Sequence, residues 1–180
     1  MIKKISYALF AVAIASGVAL SQDAAPAAAK KGPAGPTLLQ PQMEPTGGWA
    51  KGGDMGIKPE AKWSATTVGA SVDGKPLNGR EVSVEGEIVD LSCYLQVGKH
   101  GDKHSACGKK CIAAGQPIGL VTKEGVVYLL MDEEHDPRRD GQTTFRKAAG
   151  DNFAKVMTVT GTQTAINGIK SIYVQGFVTK

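Results

Sequence analysis

The stretch "GREVSVEGEIVDLSCYL", residues 79–95, determines the fold class that this sequence predicts. From Val82 onward its side chains alternate between the two faces of an extended chain, which is the pattern of a long β-strand. One face carries Val82, Val84, Gly86, Ile88 and Asp90, and the other carries Ser83, Glu85, Glu87 and Val89. Because Gly86 permits a sharp bend or a bulge, this strand is suited to curl into a small barrel.

Three later segments predict two hairpins and a short helix. Residues 117–132, "PIGLVTKEGVVYLLMD", contain two β-rich runs around a tight turn. Residues 143–153, "TTFRKAAGDNF", have a threonine cap and a short apolar face, which predicts a brief helix. Residues 154–180 contain two further β-rich runs joined by Asn167-Gly168, a strong hairpin signal.

The resulting order of elements resembles the OB-fold, a small Greek-key barrel, over residues 78–179. The motifs that carry this resemblance are "VSVEGEIVDLSC" in the first strand and "VMTVTGTQ" with "IKSIYVQG" in the closing pair. The resemblance implies a mainly β, five-stranded barrel with a short helix between strands 3 and 4 and a cysteine-bearing helical insert, residues 93–115, after strand 1. It is similar to exported bacterial proteins of this fold. Because OB barrels bind nucleic acids, sugars, proteins and cofactors, the fold alone does not indicate the function.

The N-terminus has the pattern of a secretory signal peptide, residues 1–21. Lys3 and Lys4 precede an uncharged apolar run, residues 8–20, which ends in small residues suited to cleavage before Gln22. The run is short for a bilayer span, so the sequence predicts no stable membrane insertion after cleavage. We therefore expect a secreted or periplasmic protein.

Residues 22–62 are rich in Ala, Pro, Gly and Lys and have no apolar periodicity. Such a segment buries too little surface to offset its ordering entropy, so it is predicted to be a disordered tether before the folded domain, residues 63–180. The formal net charge of +4 includes Lys3 and Lys4. The small charge of the processed chain, with acidic and basic residues interspersed, predicts no nucleic-acid partner.

All three cysteines and two of the three histidines lie in the segment "SCYLQVGKHGDKHSACGKKC", residues 92–111. A helix predicted over residues 103–114 would place His104, Cys107 and Cys111 on one face, because they are spaced i, i+3 and i+7. Cys93 would join them from the end of the first strand. Thiolate and imidazole are the usual ligands of zinc, and thiolate-rich sites also suit Cu(I). The sequence therefore predicts a zinc or copper site at Cys93, His104, Cys107 and Cys111, with His100 as an additional candidate ligand.

Two other interpretations of the cysteines remain open at this level. Cysteines of exported proteins usually pair, and a disulfide from Cys93 to Cys107 or Cys111 would tie the insert to the barrel. Redox-active thiols are a third interpretation, although the spacing lacks the two-residue gap of thioredoxin-like motifs.

The function predicted from the sequence is that of a non-catalytic metal-binding domain. Nothing in the chain matches a glycine-rich phosphate loop or a nucleophile elbow, so no enzyme activity is expected. The alternative function is that of a disulfide-stabilised interaction module that binds another envelope protein or a small ligand.

Overall fold

The computed structural model describes residues 44–132 and 143–177, and the account below concerns these residues. The predicted signal peptide, residues 1–21, and residues 22–43 of the predicted tether lie outside them. Of the helices in the described ranges, none combines the length and apolarity needed to cross a bilayer.

The described chain contains six strands, four α-helices and two short 3₁₀ turns. In chain order they are β1 (Gly53–Met55), α1 (Ala65–Ala70), a 3₁₀ turn (Val72–Gly74), β2 (Arg80–Asp90), α2 (Leu91–Val97), a 3₁₀ turn (Asp102–His104), α3 (Ser105–Ala113), β3 (Ile118–Val121), β4 (Val127–Asp132), α4 (Thr144–Asp151), β5 (Val156–Ile166) and β6 (Ile169–Val174).

Five of these strands close into a barrel. Strand β2 pairs antiparallel with β3 and β5, β3 with β4, and β5 with β6, while β4 and β6 run parallel and complete the ring. Strand β1 is an extra strand that pairs parallel with β5. The protein is therefore mainly β, and its closed five-stranded barrel is consistent with the predicted OB-like architecture.

Gly86, at which the sequence predicted a bend or a bulge, lies next to the position where β2 changes partners. Its first part, as far as Glu87, pairs with β5, and the part from Glu87 to Asp90 pairs with β3. A β-carbon at Gly86 would lie 2.7 Å from the carbonyl oxygen of Val121 in β3. Glycine is needed at this position because the two backbones approach too closely for any side chain.

The barrel encloses the main hydrophobic core, to which every barrel strand contributes. Fully buried aliphatic side chains such as Ile88, Leu120 and Ile172 fill its interior. Helix α3 and the segment after α4 cover one end with Ile112 and Phe153, which belong to the same cluster. This packing holds the cysteine-bearing α3 against the barrel.

Helix α4 is joined to α3 by hydrogen bonds from the half-buried Arg146. The Nη1 group of Arg146 donates hydrogen bonds to the carbonyl oxygens of Ile112, at 2.8 Å, and Gln116, at 2.9 Å. These carbonyls lie at the end of α3 and just beyond it, where the helix supplies no further backbone NH groups to bond them. Arg146 therefore helps to fix the position at which α3 ends.

The structure differs from the predicted tether over residues 44–62. Strand β1 adds to the sheet, and Met55 is only 3% exposed. The backbone NH of Thr46 donates to the carbonyl oxygen of Ala154 at 2.7 Å. The prediction failed here because single buried side chains and backbone hydrogen bonds hold this segment, and neither produces an apolar period in the sequence.

Candidate metal site

Asp90 is the residue at which β2 ends and α2 begins. Its Oδ1 atom accepts a hydrogen bond from the backbone NH of Ser92 at 2.9 Å, which makes Asp90 the N-cap of α2. The side chain is fully buried, and its Oδ2 atom has no hydrogen-bond partner among the described residues. The thiols of Cys93 and Cys111 are polar neighbours of this carboxylate, and their interaction with it contributes to the raised pKa of each thiol.

Two cysteines lie beside this carboxylate. One oxygen of Asp90 and the sulfur atoms of Cys93 and Cys111 all lie within 4.8 Å of one another. Two thiolates on one tetrahedral zinc ion are about 3.8 Å apart, given a zinc–sulfur distance near 2.3 Å. A small inward movement of these three groups would therefore suffice to hold one ion.

Cys107 lies beside this group and interacts with Cys111, but it is not one of the three residues whose ligand atoms lie within 4.8 Å of one another. It lies one turn before Cys111 on α3 and is exposed, whereas Cys93 and Cys111 are partly buried. A hydrogen bond and electrostatic repulsion from Cys107 both contribute to the raised pKa of Cys111, and Cys107 also acts electrostatically on Cys93. All three cysteines carry free thiols in the structure, so the predicted disulfide from Cys93 is not formed.

The surroundings keep two of these thiols protonated at neutral pH. Burial and then contact with the Asp90 carboxylate raise the pKa of Cys111 to about 12. The same two causes raise the pKa of Cys93 above its usual value. Redox-active thiols need a lowered pKa, so these two cysteines lack the property on which the redox interpretation depends. A cation bound between the sulfurs would favour the thiolate form of both cysteines, because it would replace the thiol protons.

His104 does not share the helical face that the sequence predicted. The α-helix begins at Ser105, and His104 lies in the preceding 3₁₀ turn, whose side chains follow a different angular spacing. His104 is 6% exposed, and its ring packs edge-on against that of Phe153, with 5.7 Å between the ring centroids. The Nε2 atom is buried without a hydrogen-bond partner in the described part of the chain. His104 is therefore outside the compact group of Asp90, Cys93 and Cys111.

His100 is held by a buried carboxylate on β2. Its Nδ1 atom lies 2.7 Å from Oε2 of Glu87, and the backbone NH of Gly101 donates to Oε1 of Glu87 at 2.6 Å. Glu87 is fully buried. These contacts anchor the loop that joins α2 to α3, so Glu87 holds the two cysteine-bearing helices in their relative positions.

Sequence reasoning missed both α2 and the role of Asp90. The alternating pattern made Asp90 a member of the strand and put Cys93 at the strand's end, whereas Cys93 lies in the first turn of α2. The overlooked signal is an aspartate directly before a helical segment, which is a common N-cap. Glu87 gives no comparable local signal, because its partners lie in a loop that only the fold brings near.

The pH dependence of stability provides a test of the environment of His104. Burial lowers the pKa of His104; the carboxylates of Asp90 and Glu87 oppose this shift, and Lys99 and His100 add to it. Below pH about 6.5 the unfolded chain takes up a proton that folded His104 resists, so the free energy of unfolding should fall as the pH drops through this value.

Urea unfolding of metal-free protein at pH 7.5 and pH 5.0 measures this loss. We expect His104→Leu, which removes the titrating group, to lose less stability between the two pH values than the wild type. Other titrating groups are common to both proteins, so the difference isolates His104. Equal losses would contradict the prediction.

The fold and the cluster together define a small β-barrel protein whose barrel carries, beside its first strand, three free thiols and a buried carboxylate. Comparison of the chain with protein-family models, with curated proteins and with solved structures found no match.

Proposed function

We propose that this protein is an exported, non-catalytic OB-like domain that binds one transition-metal ion, zinc or copper, through Cys93, Cys107 and Cys111. The observation that carries the proposal is the approach of the Cys93 and Cys111 sulfurs to a buried carboxylate oxygen within 4.8 Å. The parallel pairing of β4 with β6 in a closed five-stranded ring supports assignment of the barrel to the OB class.

Two residues compete for the fourth ligand position. Among the described residues, the buried side-chain polar atoms without a hydrogen-bond partner are Oδ2 of Asp90 and Nε2 of His104. Both are ligand types that zinc accepts. We favour Asp90, because its carboxylate already lies near two of the sulfurs, whereas His104 is not part of that group.

Export gives the metal a second role in this proposal. Cysteines in an oxidising compartment usually pair, and the sulfur atoms of Cys93 and Cys111 lie within 4.8 Å of each other, so oxidation would compete with metal binding. A bound ion holds the sulfurs as coordinated thiolates and keeps them from pairing. The signal peptide predicted at residues 1–21 supports export, which N-terminal sequencing of the protein from the cell envelope or medium would test.

Metal analysis tests the proposed function directly. Protein stripped with a chelator under reducing conditions is reloaded with Zn²⁺ or with Cu(I), and metal and reactive thiols are counted on the same sample. We expect about one ion per chain and protection of all three thiols from alkylation. Fewer than about 0.2 ions per chain with either metal would contradict the proposal.

Matched variants identify the fourth ligand. Asp90→Asn keeps an N-cap for α2, since asparagine caps as well as aspartate, but removes the anionic ligand. We expect it to weaken zinc binding and to change the optical spectrum of the Co²⁺-loaded protein, whereas His104→Gln leaves that spectrum unchanged. The exposed Asp102→Asn in the same insert is the control. The opposite pattern would assign the fourth position to His104.

A further inference from the structure

The two partly buried cysteines beside Asp90 come from different helices. Cys93 lies in the first turn of α2, and Cys111 lies in the last turn of α3. Their sulfur atoms lie within 4.8 Å of each other. A disulfide has its sulfurs about 2.0 Å apart and its β-carbons about 3.5–4.5 Å apart. A rotation of the side chains and a small shift of one helix would therefore bring the two sulfurs to bonding distance.

The two helices differ in how firmly the rest of the protein holds them. In α3, Gly108 and Ile112 are buried, and Arg146 donates a hydrogen bond to the carbonyl oxygen of Ile112 at 2.8 Å. Of the seven residues of α2, Leu91 alone is buried, and the helix ends at Gly98, which has a φ of 68°. We therefore expect α2 to move and α3 to stay in place when the sulfurs join.

Cys107 is a poorer disulfide partner for Cys111, although the two thiols interact. They are four residues apart on one helix, where the β-carbons are about 5–6 Å apart. A stable bond between them would distort the last turn of α3, which Arg146 holds at Ile112. Cys93 has no such constraint, because it lies on another helix. The geometry therefore favours a bond between Cys93 and Cys111.

Exposure gives Cys107 a separate role in oxidation. It is exposed, whereas Cys93 and Cys111 are partly buried. Thiol–disulfide exchange requires that the attacking sulfur reach the disulfide. A disulfide in solution therefore meets Cys107 first, and the interaction of Cys107 with Cys111 provides a route to the less accessible pair.

We propose that Cys93 and Cys111 form a redox switch on the metal site, in which a disulfide between them and a bound ion are alternative states of the same two sulfurs. The oxidant is an external disulfide, RS–SR, of the kind that an oxidising compartment supplies. The inference rests on the proposed metal-binding function. The protein would hold its ion while the thiols are reduced and lose it once they are joined.

The oxidation proceeds by three exchanges. Cys107 attacks RS–SR, forms a mixed disulfide and releases one RSH. Cys111 then displaces the second RSH from the sulfur of Cys107, and Cys93 attacks the sulfur of Cys111 and returns Cys107 to the thiol. Strain in the bond between Cys107 and Cys111 favours this last exchange. In sum, the thiols of Cys93 and Cys111 give two electrons and two protons to RS–SR, which becomes two RSH.

Oxidation of the full processed chain, free of metal, with oxidised glutathione tests the pairing. Lys99 lies between Cys93 and Cys107, and Lys109 lies between Cys107 and Cys111, so trypsin places each cysteine in a separate peptide. Mass spectrometry of the non-reduced digest should find the peptides of Cys93 and Cys111 joined and Cys107 outside the link. This measurement involves no metal, so its result does not depend on the proposed function.

Zinc titration of the reduced and oxidised protein tests the switch. The disulfide removes two thiolate ligands, and loss of a contact outside the ligand set already costs about 10–100-fold in metal affinity. We therefore expect oxidation to weaken zinc binding more than about 100-fold. In the opposite direction, zinc at about 100 times Kd leaves little metal-free protein and should slow disulfide formation at least about tenfold.

Cys107→Ser should slow oxidation about tenfold and leave the pairing of Cys93 with Cys111 unchanged. Ala106→Ser is the matched control, because Ala106 is the adjacent exposed residue of α3 and the variant keeps all three thiols. Its oxidation rate should equal that of the wild type. Circular dichroism establishes that each variant is folded.

Three results would overturn the switch: a final disulfide that includes Cys107, equal oxidation rates for Cys107→Ser and the wild type, or equal zinc affinities of the reduced and oxidised forms. A different result identifies failure of the metal site itself. If the reduced protein binds no zinc and Cys93 still pairs with Cys111, the proposed function is wrong and the assigned disulfide stands.

Discussion

Gly108→Ala is expected to lower the free energy of unfolding by about 3 kcal/mol, the upper part of the usual range for overpacking. A β-carbon at this position would lie 2.0 Å from Cζ of Phe153 and 2.2 Å from Cε2 of the same ring. Phe153 is 1% exposed and belongs to the core, so it has little space to move. Helix α3 would have to shift away from the barrel, and denaturant unfolding of the metal-free protein measures the cost.

Gly150→Ala in α4 is the matched control. The nearest atom to its β-carbon is Cγ2 of Ile112 at 3.9 Å, which is an ordinary contact. Because alanine has the higher helix propensity, this change should raise the free energy of unfolding by about 0.5–1 kcal/mol. Equal free energies of unfolding for the two variants would contradict the close contact between Gly108 and Phe153.

The second large effect that we expect is stabilisation by metal. At a free zinc concentration of about 1,000 times Kd, the ion should raise the free energy of unfolding by about 4 kcal/mol. The proposed ligands come from two helices and the end of a strand, so the unfolded chain does not present them together. The shift in the denaturation midpoint on adding zinc measures this effect in reducing buffer.

Cys111→Ser should abolish most of that shift, because it removes a sulfur from the centre of the cluster. Asp102→Asn should retain it. Binding displaces thiol protons, so the stabilisation at fixed zinc should grow as the pH rises from 6 to 8. An equal zinc shift in Cys111→Ser would show that the ion binds elsewhere.

The strands of the barrel were predictable because their signals are local. Period-two alternation indicated the first strand, and the structure has it as β2, Arg80–Asp90. The two hairpins, β3–β4 and β5–β6, are confirmed, and the second turns at Asn167-Gly168. Alternation and turn chemistry depend on neighbours in the chain, so the sequence shows them without knowledge of the fold.

Features that depend on distant partners were missed or displaced. Residues 44–62 gave no periodic signal, yet β1 adds to the sheet through backbone hydrogen bonds. The prediction that His104 shares one helical face with Cys107 and Cys111 was wrong. Gly101 has a φ of 77°, which is not helical, and a 3₁₀ turn precedes α3. In this turn His104 packs on Phe153, which is 49 positions away in the sequence, so no local pattern indicates the contact.

Local patterns in the sequence were enough to predict the five barrel strands, although not β1, and to show that the three cysteines lie in one insert. The grouping of Asp90 with Cys93 and Cys111, and that of Leu95, Leu129 and Ile169 around one groove, follow from the fold and have no signal in the sequence. The difference comes from how far apart in the chain the interacting residues lie. Strand and turn preferences arise from adjacent residues, whereas the burial of a carboxylate and the meeting of apolar side chains require strands and helices far apart in the chain to close around one core.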